Sequence, residues 1–404
     1  MDRCDVLVVG GGPAGSSCAW GLRRAGLDVV VVDRRHFPRD KVCAGWVTPQ
    51  AFAALEVSPE TYGDGRTCQP FSGFRVGAMG RRLACADHEE PVSYGVRRCE
   101  FDDFLLRRSG ARLRLGEATR SLAREGDQWV WNGELRAPML VGAGGHFCPV
   151  ARIVAGDVAG EPIVAAQEAE FRLDARDAAA CPVAPELPEL FFAPDLRGYG
   201  WVVRKGDFIN LGFGRQDTSE FPRHLRAFLD FLADERKLPL GTPHNLHGHA
   251  YRLYGQPPRP LVCDRVLLVG DAAGLAEPHS GEGIRPAIES GLLAAEAIAR
   301  AGARYEREAL ASYARALRRR FGAKAGALAS LSEWMPETPK RALGGWLLGQ
   351  AWFARRIVVD GWFLRRAQPP LDSARKLLQR GRTGELEKRT NDGRREVRPS
   401  ELRM

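Results

Sequence analysis

Runs of consecutive apolar residues, each followed by small or polar residues, mark the strongest predicted elements of this chain. Residues 5–9 read Asp-Val-Leu-Val-Val and residues 29–33 read Val-Val-Val-Val-Asp, with a glycine turn and an Ala/Cys/Leu helix between them. Strands without a polar side are typical of parallel sheets covered on both faces. A third run at residues 265–269 repeats the pattern, so the sequence predicts an α/β domain assembled from distant segments.

Between these runs the pattern changes to shorter strands separated by glycine turns. Residues 68–96 predict short strands, and residues 164–254 predict a longer strand-rich section with one helix near residues 221–232. Within it, residues 199–203 and 208–214 predict a hairpin. We therefore expect an antiparallel sheet inserted into the α/β domain.

The last third of the chain is predicted to be helical, with helices over residues 283–301 and 303–321. From residue 343 to residue 367, tryptophan and arginine interleave with apolar residues, and the longest uncharged run, residues 342–354, is too short to span a bilayer. Two interpretations stay open: a helical layer packed on the core, or helices lying in a membrane interface. After residue 381 we expect disorder.

The composition shows an uneven distribution of charge along the chain, and its cysteines indicate the redox compartment. Of the net charge of +9, over half lies in residues 375–404, which contain ten Lys or Arg and five Asp or Glu. Such a tail is either solvated or attracted to an anionic surface; we expect no nucleic-acid partner. The nine cysteines include no CxxC pair, and polar residues at the N-terminus exclude a secretion signal there. We predict a cytoplasmic protein, with peripheral contact at the inner membrane surface as the alternative.

Three histidines, His244, His247 and His249, are closely spaced but have no nearby cysteine or carboxylate in the sequence. A tetrahedral metal site needs further ligands of that kind. We therefore interpret the segment as a loop and predict no metal site.

The first glycine turn has the spacing of a dinucleotide-binding loop. Its members are Gly10, Gly12, Pro13, Ala14 and Gly15. The three glycines allow a tight turn, close approach of a pyrophosphate, and close packing of the helix, whose N-terminus favours an anion. Asp33 ends the second strand, where an acid accepts hydrogen bonds from ribose hydroxyls. Together they predict an adenine dinucleotide site.

A second strand ends in an acid far along the chain. Gly270 and Asp271 follow the run at residues 265–269, and a glycine-containing segment then leads into a long helix. A carboxylate at this place suits a ribose or ribityl hydroxyl, and the helix N-terminus suits an anionic ring edge.

These motifs together resemble the FAD oxidoreductases of the para-hydroxybenzoate hydroxylase fold, and within them the geranylgeranyl reductase-like branch. The resemblance runs from residue 5 to about residue 301. It rests on the glycine loop with Asp33, on the helix start Arg98-x-x-Phe101-Asp102-x-x-Leu105, and on Gly270-Asp271 with the segment after it. It implies an α/β fold: a Rossmann-like FAD-binding domain with an inserted antiparallel β-sheet substrate domain and C-terminal helices.

The expected boundaries follow the changes in pattern along the chain. They are residues 1–66, 97–160 and 262–302 for the FAD-binding domain, 67–96 and 161–261 for the substrate-binding sheet, 303–380 for the helical region, and 381–404 for the basic tail.

The resemblance also implies roles for single residues. Arg98 is expected to contact the ribityl–phosphate region of FAD, Asp271 the ribityl chain, and residues 278–284 the isoalloxazine. The full set of expected FAD contacts is Gly10, Gly12, Pro13, Ala14, Gly15, Asp33, Arg34, Lys41, Arg98, Gly270, Asp271, Pro278, Gly281, Gly283 and Ile284. Tyr199 and Trp201 are candidate substrate-lining residues.

Cys43 is the candidate catalytic residue. It falls in Lys41-Val42-Cys43-Ala44-Gly45, where the reductases of this branch have a Lys-x-Cys-Gly signature near the reactive face of the flavin. The thiol either donates a proton to carbon or packs as a small apolar residue.

The chain departs from the family pattern at two places. Ala143-Gly144-Gly145 stands where the family has Ala-Asp-Gly, so an acid is missing from a turn expected to support FAD. The segment from Tyr199 to Arg204 does not end in Phe-Pro or Ile-Pro, and the halogenase Trp-x-Trp-x-Ile-Pro is absent, which argues against halogenation.

The resemblance implies a FAD-dependent oxidoreductase that reduces carbon–carbon double bonds of a hydrophobic isoprenoid or long-chain substrate. Two alternatives stay open: a flavin monooxygenase acting on a natural-product intermediate, and a flavin-binding membrane-surface or docking protein with low turnover. No second G-x-G-x-x-G follows a buried strand, so we expect electrons from transiently bound NAD(P)H or from another redox protein. Any membrane contact is expected through residues 343–404.

Overall fold

The computed structural model describes residues 1–156, 162–238, 245–255, 259–322 and 337–372. The strands are β1 (Asp2–Arg3), β2 (Val6–Val9), β3 (Val29–Asp33), β4 (Trp46–Val47), β5 (Cys68–Phe71), β6 (Gly73–Ala78), β7 (Ala84–Asp87), β8 (Ser93–Val96), β9 (Arg112–Leu115), β10 (Leu122–Glu125), β11 (Gln128–Trp131), β12 (Leu135–Ala137), β13 (Met139–Gly142), β14 (Val164–Arg172), β15 (Glu189–Phe192), β16 (Gly198–Lys205), β17 (Phe208–Arg215), β18 (His247–Tyr251), β19 (Val262–Cys263) and β20 (Val266–Leu268). The helices are α1 (Pro13–Arg24), α2 (Pro49–Ala54), α3 (Pro59–Gly63), α4 (Arg98–Arg108), α5 (Pro149–Ala155), α6 (Ala175–Ala180), α7 (Phe221–Asp234), α8 (Ile284–Ala301), α9 (Arg307–Phe321), α10 (Glu337–Leu348) and α11 (Ala351–Phe353). Gly270–Ala273 form a 3₁₀ turn, and Ala354–Phe363 form a π-helical segment that continues α11.

A parallel sheet carries the glycine loop at its centre. Its strand order is β19-β20-β13-β2-β3-β9, and all pairs except β19–β20 are parallel. Every residue of β2, β13 and β20 is buried, as expected for strands covered on both faces. The run at residues 265–269 therefore joins the first strands of the chain through β13, and the predicted α/β fold is confirmed.

Helices α1 and α8 pack against each other at very short distance. A Cβ atom placed on Gly291 of α8 would lie 2.3 Å from the Ala14 carbonyl oxygen, and one on Gly21 of α1 would lie 2.7 Å from the Ala295 Cβ. Only glycine permits this approach. The N-termini of both helices consequently lie at the same cavity.

The second large sheet has seven strands, in the order β18-β14-β17-β16-β15-β6-β7. Its pairs are antiparallel, as predicted, except for β15–β6, which is parallel. The predicted hairpin is β16–β17, with Lys205 opposite Phe208. Strands β5 and β8, which we expected in this sheet, lie in a separate three-stranded sheet. There β8 is the central strand and pairs with β5 on one side and with β4 on the other.

The interpretation of the histidine segment as a loop is wrong for His247 and His249. Both lie in β18, which pairs with β14 at the edge of the seven-stranded sheet. The strand is held by backbone pairing and lacks the apolar alternation that identifies half-buried strands. Its sequence therefore did not predict a strand. His244 lies outside the described residues.

Helix α9 begins later than predicted, at Arg307 instead of residue 303. Gly302 and Ala303 both have left-handed φ angles, of 57° and 68°, and such a conformation ends a helix. Helix α4 begins at Arg98, the start of the motif quoted above.

The C-terminal segments cover one face of the seven-stranded sheet. Leu348, Ala354, Val358 and Phe363 are buried in one hydrophobic cluster with residues of β6, β7, β15 and β16. A packed helical layer, one of the two interpretations left open, is therefore present. In the described residues no helix is both long and apolar enough to cross a bilayer; the tail at residues 381–404 lies outside them.

Candidate active site

A cavity of about 1050 Å³ is lined by residues of both large sheets. It brings together most of the predicted site: Gly12, Pro13, Ala14, Asp33, Arg34, Lys41, Cys43, Arg98, Tyr199, Trp201, Asp271, Gly281, Gly283 and Ile284. Gly10, Gly15, Gly270 and Pro278 are not among its lining residues. The carboxyl ends of the parallel strands meet here, which is where ligands bind in open α/β sheets.

The glycines of the loop have different physical roles. Gly10 has a φ of 116°, and a Cβ there would lie 2.3 Å from the Ala143 carbonyl oxygen, whereas a Cβ on Gly15 would lie 1.9 Å from the Gly10 carbonyl oxygen. The protein itself requires glycine at both positions. A Cβ on Gly12 would meet only the Arg39 guanidinium, at 3.5 Å, so the fold alone does not explain that glycine.

Asp33 holds the loop as well as facing the cavity. Its two carboxylate oxygens accept hydrogen bonds from the Gly11 N–H at 2.8 Å and the Arg35 N–H at 2.9 Å. A carboxylate has about four acceptor positions. Asp33 therefore retains capacity for the ribose hydroxyls that the sequence assigns to it.

A buried ion pair lies beside the loop. Arg98 donates two hydrogen bonds of 2.8 Å to the Asp102 carboxylate, and Arg39 approaches the same carboxylate at 3.2 Å. Asp102 is fully buried. Burial raises the pKa of Asp102, but the Arg98 and Arg39 cations outweigh it and hold the pKa below its ordinary value. Arg98 thus lines the cavity while its position is set by Asp102.

Lys41, His249 and Asp271 form a second charged group. Nε2 of His249 lies 3.4 Å from Oδ2 of Asp271. Burial raises the pKa of Asp271, and the hydrogen bond from His249 and the charge of Lys41 lower it below its ordinary value. Burial lowers the pKa of the Lys41 ammonium to about 8, with Asp271 opposing the shift.

The segment before α8 forms another part of the wall. Gly281 has a φ of 68°, and a Cβ there would lie 2.2 Å from the Tyr251 hydroxyl. The Glu282 carboxylate accepts a hydrogen bond of 2.7 Å from the Arg285 N–H in the first turn of α8. Burial raises the pKa of Glu282 to about 7, against the attraction of Arg285. The Glu282 carboxylate therefore occupies one N–H group of the helix N-terminus that we expected beside the flavin.

Cys43 lies in the cavity wall together with Arg98. The Gly45 N–H donates to Sγ of Cys43 at 3.4 Å. A backbone N–H group only donates. The sulfur accepts this bond, so the thiol proton is free to point into the cavity.

Tyr199 and Trp201 alternate along β16, and both line the cavity. The Tyr199 hydroxyl donates to the Ser280 carbonyl oxygen, which ties the seven-stranded sheet to the segment before α8. Burial raises the pKa of Tyr199 well above its ordinary value, so this phenol stays protonated. Trp201 Nε1 donates to Asn210 Oδ1 at 2.7 Å.

The missing acid at Gly144 has a steric explanation. A Cβ at this position would lie 3.2 Å from both Cα and Sγ of Cys148, the residue immediately before α5. An aspartate would crowd this helix start.

Sequence reasoning missed several residues that line or support this cavity. The Arg98–Asp102 spacing of four residues on a helix is a signal for an ion pair, although the partner was not assigned. Glu168 and Glu170 share one face of β14 by their spacing of two. No local signal identifies Arg39 and Asn210, whose partners are distant in sequence.

Three observations show that the site fits a bound dinucleotide. Gly12 leaves room at the cavity wall, and α1 begins there without a side-chain cap for its free N–H groups. Arg39 Nη1 is buried and has no hydrogen-bond partner among the described residues. An anionic diphosphate would satisfy these donors, with Asp33 positioned for the ribose and Asp271 for a further hydroxyl group.

We predict that Gly12→Ala weakens FAD binding without unfolding the protein. The added methyl group meets little in the protein itself, and crowding of a close ligand costs about 1–3 kcal/mol, which lowers affinity about 5- to 150-fold. Gly10→Ala is the matched variant, and its Ala143 clash should destabilise the apoprotein. Titration with FAD and thermal unfolding of both apoproteins check this; equal FAD affinity in wild type and Gly12→Ala would contradict it.

We also predict that FAD binding takes up a proton in the alkaline range. Lys41 in the apoprotein loses its proton as pH rises through about 8, whereas an anionic cofactor raises its pKa. Affinity should therefore fall above that pH, by up to about tenfold per pH unit. Calorimetry in buffers of different ionisation enthalpy measures the uptake. Lys41→Met should remove it, and identical pH profiles for the two proteins would refute the assignment.

Known proteins match this chain over most of its length. The FAD dependent oxidoreductase family matches residues 5–92. The menaquinone reductase of Mycolicibacterium smegmatis is 31% identical over 331 residues, which are 74% of this chain and 77% of that protein. The digeranylgeranylglycerophospholipid reductase of Methanothrix thermoacetophila is 29% identical over 319 residues, 74% of this chain and 78% of that protein.

Solved structures agree on the fold. A geranylgeranyl bacteriochlorophyll reductase-like protein from Thermoplasma acidophilum has a TM-score of 0.72 at 22% identity, covering 94% of this chain and 100% of its own. The flavin-dependent brominase Bmp2 has a TM-score of 0.65 at 19% identity, covering 90% of this chain and 98% of its own. The resemblance inferred from the motifs, with FAD as cofactor, is confirmed: the chain belongs to the geranylgeranyl reductase-like branch of the FAD-dependent oxidoreductases.

Proposed function

We propose that the protein reduces carbon–carbon double bonds of a hydrophobic isoprenoid or long-chain substrate. The single observation that carries the proposal is the position of Cys43, which lines the cavity together with Arg98. The names of the mycobacterial and archaeal relatives, both reductases, support a reduction. We propose NAD(P)H or another redox protein as the electron donor.

The chemistry divides between cofactor and protein. Reduced FAD, when bound, supplies a hydride. Cys43 holds the proton that the second carbon of the double bond needs, and Arg98 faces the thiolate that proton donation leaves behind. Asp102 keeps the Arg98 guanidinium in place through both of its oxygens.

Apolar and aromatic residues form the side of the site suited to an isoprenoid chain. Tyr199 contacts Phe363 of the C-terminal segment with ring centroids 5.5 Å apart, and Phe363 also packs on Trp46 at 5.3 Å. Both Tyr199 and Trp46 line the cavity. The C-terminal layer therefore backs the wall against which we propose that the substrate lies.

We predict that Cys43→Ala binds FAD but loses turnover. Removal of a proton donor lowers the rate by at least about 100-fold, while Cys43→Ser, which keeps a weaker donor, should retain more activity. The test reduces FAD-loaded protein anaerobically with dithionite and mixes it with a digeranylgeranylglycerophospholipid; flavin reoxidation and mass spectrometry follow the reaction.

The product separates the reductase from the alternatives. Addition of H₂ to the lipid without oxygen supports the proposal. Oxygen incorporation under air, with no saturated product in its absence, would overturn it in favour of a monooxygenase. Flavin that stays reduced in the presence of the lipid, with no change in the lipid either without oxygen or under air, would favour a docking protein.

We further propose that the C-terminal layer docks on an anionic bilayer, from which the substrate enters. The side chains of Trp346 and Trp352 are 56% and 58% exposed on its outer face, with Arg355 and Arg356 exposed beside them. Tryptophan favours the lipid interface, and arginine complements anionic headgroups.

An aromatic row connects this face with the cavity rim. Trp352 contacts Phe353 at 5.6 Å, Phe353 contacts Trp362 at 6.1 Å, and Trp362 stacks on His279 at 5.3 Å between ring centroids. The neighbouring Ser280 lines the cavity. This continuity supports entry of an apolar substrate from the outer face.

We predict that the full-length protein sediments with vesicles of phosphatidylglycerol but not with vesicles of phosphatidylcholine. The double variant Trp346→Ala, Trp352→Ala should lose most of this binding, and added salt should weaken it. Ile153→Ala removes an apolar side chain that is 49% exposed on α5 and serves as the matched control. Undiminished binding by the tryptophan variant, or none by the wild type, would contradict the proposal.

A further inference from the structure

We propose that Glu168 is an internal acid that returns a proton to Cys43 in each turnover. The proposal rests on the reductase function given above and adds the source of the proton. It follows from the position of Glu168, from the charges around it, and from the hydrogen bonds that orient its neighbours.

Glu168 lies directly behind the Cys43 loop. It is 6% exposed, and it lines the cavity together with Ala166 and Glu170, the residues two positions away on β14. One amide joins the two residues: Asn210 Nδ2 lies 3.3 Å from Glu168 Oε2 and 3.5 Å from the Cys43 carbonyl oxygen. The acid and the thiol therefore belong to the same part of the cavity wall.

The two carboxyl groups of β14 have different partners. Glu170 forms ion pairs with the buried Lys205 ammonium and with Arg97, whose Nε lies 3.1 Å from Oε1. Glu168 instead accepts from the neutral Asn210 amide, whose Nδ2 lies 3.3 Å from Glu168 Oε2 and 3.2 Å from Glu170 Oε2. The two cations of this network, Lys205 and Arg97, thus form their ion pairs with Glu170.

The orientation of Asn210 is set by Trp201. Trp201 Nε1 can only donate, and it donates to Asn210 Oδ1 at 2.7 Å. The amide nitrogen of Asn210 must therefore face the two carboxyl groups. Because this donor is neutral, it contributes less to a carboxylate than the cations beside Glu170 do.

The environment shifts the pKa values of the two acids in opposite directions. Burial raises the pKa of Glu168, with the Lys205 charge opposing and the Glu170 charge adding to the shift, whereas Lys205 and Arg97 lower the pKa of Glu170 against its own burial. On the neighbouring edge strand, His247 is the register partner of Glu168. When two neighbouring carboxyl groups have pKa values shifted in opposite directions, one is suited to donate a proton and the other to remain ionised.

The proton balance of one reduction is then complete. The substrate carbon takes the proton of the Cys43 thiol as its neighbour takes the hydride, so an S–H bond breaks and a C–H bond forms. Glu168 gives its proton to the Cys43 thiolate, and solvent entering the open cavity reprotonates the Glu168 carboxylate. Each double bond consumes one hydride and one proton.

Infrared spectroscopy of the resting, FAD-loaded protein tests the protonation state. The wild type minus Glu168→Gln difference spectrum should show a protonated-carboxyl band that shifts in D₂O; the subtraction removes the band of Glu282, whose pKa of about 7 leaves it partly protonated. Glu170→Gln is the matched control: it should keep the Glu168 band and unfold at lower temperature, because the buried Lys205 loses its counter-charge. Absence of the difference band would overturn the proposal.

Single-turnover reduction of a digeranylgeranylglycerophospholipid, with dithionite as the electron source, tests the proton supply. Glu168→Gln should lower the rate about tenfold or more with an unchanged KM, and should flatten the pH profile of the rate. An unchanged rate in this variant, with an active wild type, would overturn the inference. A wild type that shows the band but saturates no lipid would instead overturn the reductase proposal.

Discussion

The ion pair of Arg98 with Asp102 is the interaction on which the site depends. Asp102 is fully buried and is neutralised by Arg98 through both oxygens and by Arg39 at 3.2 Å. Removing one partner of such a pair costs about 3–5 kcal/mol, because a charge is left buried without compensation. Arg98 lines the cavity together with Cys43, and Arg39 reaches the glycine loop at Gly12. One carboxylate on α4 thereby sets the relative positions of the diphosphate site and the thiol.

Much of the fold could be predicted because its signals are local. Several features can be recognised from a few neighbouring residues. They are the valine runs of β2 and β3, the required glycines at residues 10 and 15, and the acid after β20. The hairpin β16–β17 was predictable for the same reason, since its turn lies between two apolar runs. The parallel pairing of β15 with β6 was not, because the partners are more than a hundred residues apart.

The polar part of the site was less predictable. Asp33 and Asp271 follow apolar strands and can be identified from that position alone. Arg39, Glu168 and Asn210 carry no such local signal, and their importance comes from partners on other elements. Gly144 shows the reverse case: the departure from the family pattern was visible in the sequence, but its cause, contact with Cys148, required the structure.

The two faces of the seven-stranded sheet have separate packing environments. On one face Val202, Leu211 and Phe213 pack with Phe228 of α7, and on the other Trp201 packs with residues of the C-terminal segment. Because successive side chains of a strand point to opposite faces, cavity-facing positions can change without altering the packing under α7. The same scaffold can therefore evolve toward substrates of different shape by single substitutions, while the residues that secure its folding remain constant.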